Sequence, residues 1–422
     1  MLDHHSTPLP FIRRQLQISR RSQFVVVFLC MLSLALCADS SRADDIEAAR
    51  LKAIPERMQK FVDEQHLAGV VTVVGRKDGI VSYEALGTAN LEKSQPMTKN
   101  TLFRIASMTK PITAIGIMIL AEEGKLSVED PVEKYIPEFR GQKLVKRTDG
   151  TSSLIEPAHP ITLRNLLTHT SGLPANMPKP MEDLYVKRDH TLAEVVKLMG
   201  ARPLDFEPGS KWSYCNAGID TLGRVIEVVS GQGYEKFLSK RIFEPLGMID
   251  TTFYPTAEQL ARAAETYDRR SGKMVAVPNS LLGSPVGARF PIPAGGLYST
   301  GADLAKLYQM MLNKGTRGKA RILSPESVVA MTQVQTSELA AAFTPGMGFG
   351  FGWAIVRKPS GVTAMLSPGT FGHGGAFGTQ AWIDPNKNLF VILLIQRMGL
   401  PNADASEFRR ELQRLAVEAL GN

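Results

Sequence analysis

The chain reads as an α+β protein, with an antiparallel sheet flanked by helices and a second, mainly helical domain. Two features near opposite ends predict the sheet. Val70-Val71-Thr72-Val73-Val74 and Ile80-Val81-Ser82-Tyr83 flank Asp78-Gly79, and Gln380 to Ile383 and Leu389 to Ile395 flank Asp384-Pro385-Asn386. Each is a pair of strand-forming runs around turn residues, the signature of a hairpin. A third feature, the helical spacing of apolar residues through the middle, predicts an inserted helical domain. Strands drawn from both ends suit an antiparallel sheet better than a wound parallel one. The predicted boundaries are a discontinuous sheet domain over 44–125 and 271–422, interrupted by a helical domain over 126–270.

Taken in order, Arg13, Arg14, Arg20 and Arg21 precede an apolar run from Phe24 to Ala38, and Ser41-Arg42-Ala43 offers small residues for cleavage. This is the pattern of a secretory signal peptide over residues 1–43. The 15-residue run falls short of the ~20 that a membrane helix needs. The expectation is therefore an exported protein, periplasmic or secreted, with no stable span after cleavage; an uncleaved N-terminal anchor is the alternative. Residues 45–66 read as a helix that Pro55 breaks or restarts. Ile112 to Leu120 is apolar on nearly every side, as a helix buried between two layers must be. Asp149-Gly150 within 143–155 predicts a small hairpin, and 161–167, 191–199 and 217–229 carry helical patterns. Gly295 to Thr300 returns the chain to the sheet domain. Thr300 then caps a helix with Asp303 at its third position and Leu304, Leu307, Tyr308 and Met311 facing inward. The final helix turns Phe408, Leu412, Leu415 and Ala419 toward the sheet.

Composition is that of an ordinary globular protein, 44% hydrophobic and 21% charged. Without residues 1–43 the formal net charge falls from +8 to +5 and is not clustered, so no nucleic-acid footprint is present. Cys30 and Cys37 lie in the predicted signal, which leaves Cys215 alone and no internal disulfide to make.

Three short patterns carry the chemistry. In Ser107-Met108-Thr109-Lys110 the serine and lysine are three apart and share a helix face. Pro111 is tolerated only near a helix start, which puts Ser107 at or just before the first turn, where free N–H groups favour a developing alkoxide. A buried ammonium needs a partner, and the Ser107 hydroxyl and other polar groups must supply it. In Tyr214-Cys215-Asn216 the phenol becomes a useful proton carrier if a nearby ammonium lowers it from ~10. Glu207-Pro208-Gly209 upstream suggests a loop, on which Asn216 would point the same way and hold Lys110 and a substrate carbonyl. Cys215 reads as a small buried filler. In His373-Gly374-Gly375-Ala376 the glycines would let a substrate backbone lie along a strand edge, and the N–H groups of Ser107 and Ala376 could hold an oxyanion. Each pattern alone has a plainer reading: a capped helix with a surface lysine, a packed tyrosine, a turn asparagine, a structural histidine. Ser171-Gly172, beside His169, reads as a glycine helix cap. Gly-x-Ser-x-Gly, His-Glu-x-x-His, paired Cys/His spacings and phosphate-cradling loops do not occur, so no metal or cofactor is expected.

Taken together, these patterns resemble those of the serine β-lactamase superfamily, in the branch of class C β-lactamases, D-alanyl-D-alanine peptidases and family VIII carboxylesterases. The resemblance runs from about Ile54 to Leu420. Its motifs are Phe103-Arg104-Ile105-Ala106-Ser107-Met108-Thr109-Lys110, Leu166-Leu167-Thr168-His169-Thr170-Ser171-Gly172-Leu173, Tyr214-Cys215-Asn216, Pro245-Leu246-Gly247-Met248, Gly295-Gly296-Leu297-Tyr298-Ser299-Thr300, Gly350-Phe351-Gly352-Trp353 and Phe371-Gly372-His373-Gly374-Gly375. It implies that Ser107 is the acylated nucleophile, that Lys110 and Tyr214 share base and acid duties in an order left open, and that Asn216, His373, Gly374 and Gly375 position substrate. One departure bears on specificity. Class C β-lactamases carry Lys-Thr-Gly where this chain has His373-Gly374-Gly375, and a histidine near ~6.5 is mostly neutral at pH 7. Losing a permanent cation disfavours carboxylate-bearing lactams relative to a neutral ester or a peptide. The expected function is an exported serine hydrolase of carboxylic esters, acting through an acyl-enzyme on small-molecule ester, amide or β-lactam substrates. A D-Ala-D-Ala peptidase acting on cell-wall peptide and a β-lactamase are alternatives, and a penicillin- or peptidoglycan-binding sensor is the non-enzymatic one.

Overall fold

Eight strands form one antiparallel sheet whose members come from both ends of the chain, in a computed structural model that describes residues 47–176, 178–277 and 281–421. The signal peptide expected over 1–43 lies outside the described residues. β1 (Gly69–Arg76), β2 (Gly79–Asn90) and β3 (Gln95–Pro96) precede the helical region. β4 (Met347–Phe349), β5 (Ala354–Val356), β6 (Phe371–Gly374), β7 (Gln380–Asp384) and β8 (Leu389–Leu394) follow it. The order is β4-β5-β6-β7-β8-β1-β2-β3, and β8 pairs with β1 with Val73 opposite Ile392. Both hairpins form where the turn residues predict them.

Alternate residues of the central strands feed two different cores, as the two-residue period requires. Val71, Val73, Ile392 and Leu394 face one apolar layer, which continues into the helical region. Val70, Val74, Val391 and Leu393 face the other, filled by α1 (Ala53–Asp63) and the C-terminal helix. That C-terminal helix, Glu407–Leu420, buries Phe408, Leu412, Leu415 and Ala419 as its spacing predicts. Each large side chain so buried contributes about 1.5–3 kcal/mol. The helical run 47–51 ends in a turn at Lys52 and restarts as α1, as expected near Pro55, which sits in the first turn of α1, where its missing N–H costs nothing. Asp149 and Gly150 both take positive φ in the hairpin Leu144–Thr148 and Thr151–Ile155. Among the described residues, no helix is long and apolar enough to cross a membrane.

Four connections bring the chemistry-bearing segments together. α2 (Thr109–Glu122) is buried over Thr109–Leu120 and packs against α3 (Asn216–Ser230), where Gly116 admits the Ile226 side chain. Phe103–Arg104 pairs with Tyr298–Ser299, which sets the 292–297 segment beside the start of α2. On the sheet side, Thr379 Oγ1 donates to the Ile105 carbonyl at 3.2 Å and Gln396 Nε2 to that of Arg104 at 2.9 Å. Finally, α4 (Gly301–Leu312) is capped by Thr300, whose side chain accepts from the Asp303 N–H, and packs on β1 and β8.

Candidate active site

Ser107 lies in a single 3-10 turn, Ala106–Met108, that leads straight into α2. Its N–H belongs to the first turn, where helical N–H groups have no intrahelical acceptor. The residue before it, Ala106, takes φ +46, a left-handed conformation that an L residue adopts only when its surroundings force it. Such an elbow presents the serine at a sharp corner between strand and helix. Lys110 follows one turn later, with no exposed surface. Its Nζ lies 3.1 Å from Ser107 Oγ and donates to the Ala294 carbonyl at 2.6 Å. It also lies 4.7 Å from the centroid of the Tyr214 ring. The sequence-predicted serine, lysine and tyrosine therefore meet, although Tyr214 is more than a hundred positions from Ser107.

The electrostatics reverse one expectation. The phenol of Tyr214 is not lowered by Lys110 but pushed well above its ordinary value by burial, with the Ser107 hydroxyl offsetting only part of the rise. The reason is geometric, since the amine sits over the ring face while aromatic groups wall the ring. His169, Phe343 and Trp212 lie 4.6, 5.0 and 6.2 Å away, centroid to centroid. It is Lys110 that is displaced, down to about 7, because burial disfavours its charged form more than Asp220 and Cys215 favour it.

Asn216 departs from expectation as well. It is the first residue of α3 rather than part of a loop, and it is exposed. Starting the helix there ends the two-residue alternation that would have aligned it with Tyr214. The partners of Lys110 are Ser107 and the Ala294 carbonyl instead. Cys215 is a buried filler as read, with its thiol pushed up to about 11 by burial.

His373 is buried on β6; its Nδ1–H donates to the Gly374 carbonyl at 2.6 Å, and its Nε2 is enclosed without a partner. Burial, and then the charge of Lys110, hold it down to about 4, so it is neutral at pH 7. The strand ends at Gly374, and Gly375–Gly378 is a turn rather than the continued strand of the sequence reading, with the Gly378 N–H bonded to the Gly375 carbonyl at 2.9 Å. The pairing of β5 with β6 extends no further than Gly372, so the edge beyond it is free of that neighbour. The two glycines make room for protein. A Cβ at 375 would stand 2.1 Å from Thr379 Oγ1 and 2.5 Å from the Ile105 carbonyl, and one at 374 only 2.0 Å from Asp404 Oδ1. Ala376 follows, exposed, in this turn.

The sequence reading undervalued one residue and missed two. His169, not Gly172, takes the left-handed position just after the helix Leu163–Leu167, with φ +59. Its Nδ1 accepts from the Cys215 N–H at 3.2 Å, which fixes the chain beside Tyr214. Phe343 sits on an exposed loop over the Tyr214 ring, with no sequence signal to mark it. Asp220, fully buried, accepts from the Ala294 N–H at 2.8 Å and from the Tyr185 hydroxyl. Its signal was a single acid within the otherwise uncharged run 216–223.

Known proteins share this architecture. Esterase EstB from Burkholderia gladioli is 30% identical over 374 residues, covering 82% of this chain and 90% of EstB. Lovastatin esterase from Penicillium rubens is 29% identical over 366 residues, covering 80% of this chain and 91% of its own length. Among solved structures, EstCE1, described as a hydrolase with promiscuous acyltransferase activity, superposes with a TM-score of 0.72 at 26% identity, covering 90% of this chain and 100% of that one. The family model described as Beta-lactamase matches residues 54–416. The chain thus belongs to the Beta-lactamase family and has its serine hydrolase fold.

Proposed function

We propose that this protein is an exported serine hydrolase that cleaves carboxylic esters through an acyl-enzyme on Ser107. The observation that carries the reading is the 3.1 Å approach of a fully buried, near-neutral Lys110 amine to Ser107 Oγ. An amine near 7 has a lone pair available at neutral pH, and donation to the Ala294 carbonyl turns that lone pair toward the serine.

In the first step Oγ attacks the ester carbonyl carbon while its proton passes to Lys110 Nζ. The carbonyl oxygen becomes an oxyanion held by the N–H groups of Ser107 and Ala376. Collapse breaks the bond to the leaving alkoxide, which takes a proton from the Tyr214 hydroxyl as Tyr214 recovers one from Lys110. A phenol held well above its ordinary value is protonated at rest, so it carries a proton to pass on and is not the resting base. Water then attacks the acyl-enzyme by the reverse proton path and releases the acid. Asn216, exposed at the start of α3, contacts the substrate, while the buried His373 and the close-packed Gly374 and Gly375 support the strand end that the substrate meets.

The preference for esters rests on the neutral His373, which offers no cation to a lactam carboxylate, and on the esterase names of the relatives. Export rests on the leader-like pattern over 1–43. Rates measured side by side on short-chain nitrophenyl esters, nitrocefin and a D-Ala-D-Ala peptide test the reading. We expect the esters to be turned over fastest. Peptide or lactam turnover exceeding that of every ester, or stoichiometric labelling of the protein without turnover, would overturn it.

A further inference from the structure

Lys110 is a buried amine with no direct ion pair among the described residues, and what faces it decides how it behaves. On its own element stands Ser107. From α3 and the segment before it come Tyr214, Cys215 and Asp220; the 168–172 turn adds His169, and β6 adds His373. Asp220 is the only carboxylate among these. It has no exposed surface and reaches Lys110 through one residue, Ala294. Its Oδ1 accepts the Ala294 N–H at 2.8 Å, and the Ala294 carbonyl accepts from Lys110 Nζ at 2.6 Å. The other oxygen, Oδ2, accepts from the Tyr185 hydroxyl. Tyr185, Cys215 and Tyr234 are the titratable groups that face Asp220 besides the lysine.

The segment carrying Ala294 is pinned on every side. Ile292 takes φ +59, and its carbonyl accepts the N–H groups of Gly295 and Gly296 at 2.9 and 2.7 Å. Thr113 Oγ1 donates to the Pro293 carbonyl at 2.8 Å, and Gly223, three residues along α3 from Asp220, leaves space that Pro293 fills. The carboxylate needs no such elaborate seat to complete the fold, since an uncharged acceptor would satisfy the same N–H. A buried charge costs several kcal/mol unless paired.

We infer that Asp220 is a positioning residue for the reaction: by holding the Ala294 N–H it fixes that residue so that its carbonyl orients the Lys110 amine, and it sets how readily that amine gives up its proton. The inference rests on the reading of Lys110 as the base. Opposite charges this close favour each other's charged forms, so the carboxylate holds the lysine's proton more firmly than a neutral group would.

The test is the pH profile of kcat/KM on a neutral nitrophenyl ester, for the wild type, Asp220→Asn and Tyr185→Phe in the full mature chain. Asparagine keeps an oxygen for the Ala294 N–H but removes the charge. We expect the acid limb of the profile to move to lower pH by about one pH unit in Asp220→Asn, with KM little changed. Tyr185→Phe takes a hydrogen bond from the carboxylate, makes it easier to protonate, and should move the limb the same way by less. It also serves if Asp220→Asn is not recovered folded. A limb that stays in place in the folded variants overturns the inference. Failure of the base assignment looks different, since then the wild type itself shows no limb attributable to Lys110 and Lys110→Ala retains turnover.

Discussion

Replacing Lys110 by methionine should destroy activity and yet stabilise the protein, in a manner that depends on pH. Holding an amine at about 7 rather than its ordinary value near 10.5 costs on the order of 5 kcal/mol when folded and unfolded chains are both protonated. Methionine fills a similar volume without charge. Against that gain stands the Ala294 carbonyl, left without its donor at a cost of about 1–3 kcal/mol, and the lost contact to Ser107, worth about 1 kcal/mol. The balance is a stabilisation of about 1–3 kcal/mol at pH 6, or roughly 2–5 °C in melting temperature. The sign of the pH dependence follows from proton counting. Between about 7 and 10.5 the unfolded lysine binds a proton that the folded one does not, so wild-type stability rises with pH across that window. The methionine variant lacks this rise. It also leaves the Asp220 carboxyl without the positive charge that lowers it, a penalty that grows in the same direction. Thermal melts of both proteins at pH 6, 7.5 and 9 should therefore show the variant's advantage at its largest at pH 6 and shrinking above. A variant less stable at pH 6, or a gap unchanged by pH, would refute the assignment of a buried, displaced amine.

Further outcomes follow from the same geometry. The wild-type kcat/KM on a neutral ester should rise through a midpoint near pH 7, with about one tenth of the amine neutral at pH 6 and nine tenths at pH 8; a flat profile over that range counts against Lys110 as base. Tyr214→Phe should lower kcat by about 10²–10⁴ while leaving the acid limb in place, because the phenol is not what titrates there; a displaced limb would return the base role to Tyr214. Gly375→Ala should cost activity and about 1–3 kcal/mol of stability, since its methyl would meet the Ile105 carbonyl and push the β6–β7 turn from Ser107; normal melting and turnover would contradict that tight contact.

Much of the fold was legible because it rests on local signals that tertiary context does not contradict. Asp78-Gly79 and Asp149-Gly150 each fixed a hairpin, and Thr300 with Asp303 fixed a helix start. The approach of Ser107 to Lys110 followed from helix geometry alone, and that of Tyr214 from resemblance. What was not legible depends on packing between distant segments. The rise of the Tyr214 phenol comes from the walls contributed by His169, Trp212 and Phe343, and the fall of the lysine from total enclosure. Asn216 was misplaced by a single helix boundary, the least predictable feature of any element. Asp220 and Ala294 meet 74 positions apart, through a backbone contact that no motif spacing encodes.

The claim on which the chemistry depends is that one hydroxyl, Ser107 Oγ, receives the acyl group. Intact-mass and peptide mass spectrometry after brief incubation with a slowly hydrolysed activated ester or an alkylphosphonate tests it directly. We expect a single adduct on the peptide that contains Ser107, absent from Ser107→Ala, which should also lose ester turnover. An adduct on Ser171 or Cys215, or turnover that persists in Ser107→Ala, would contradict it.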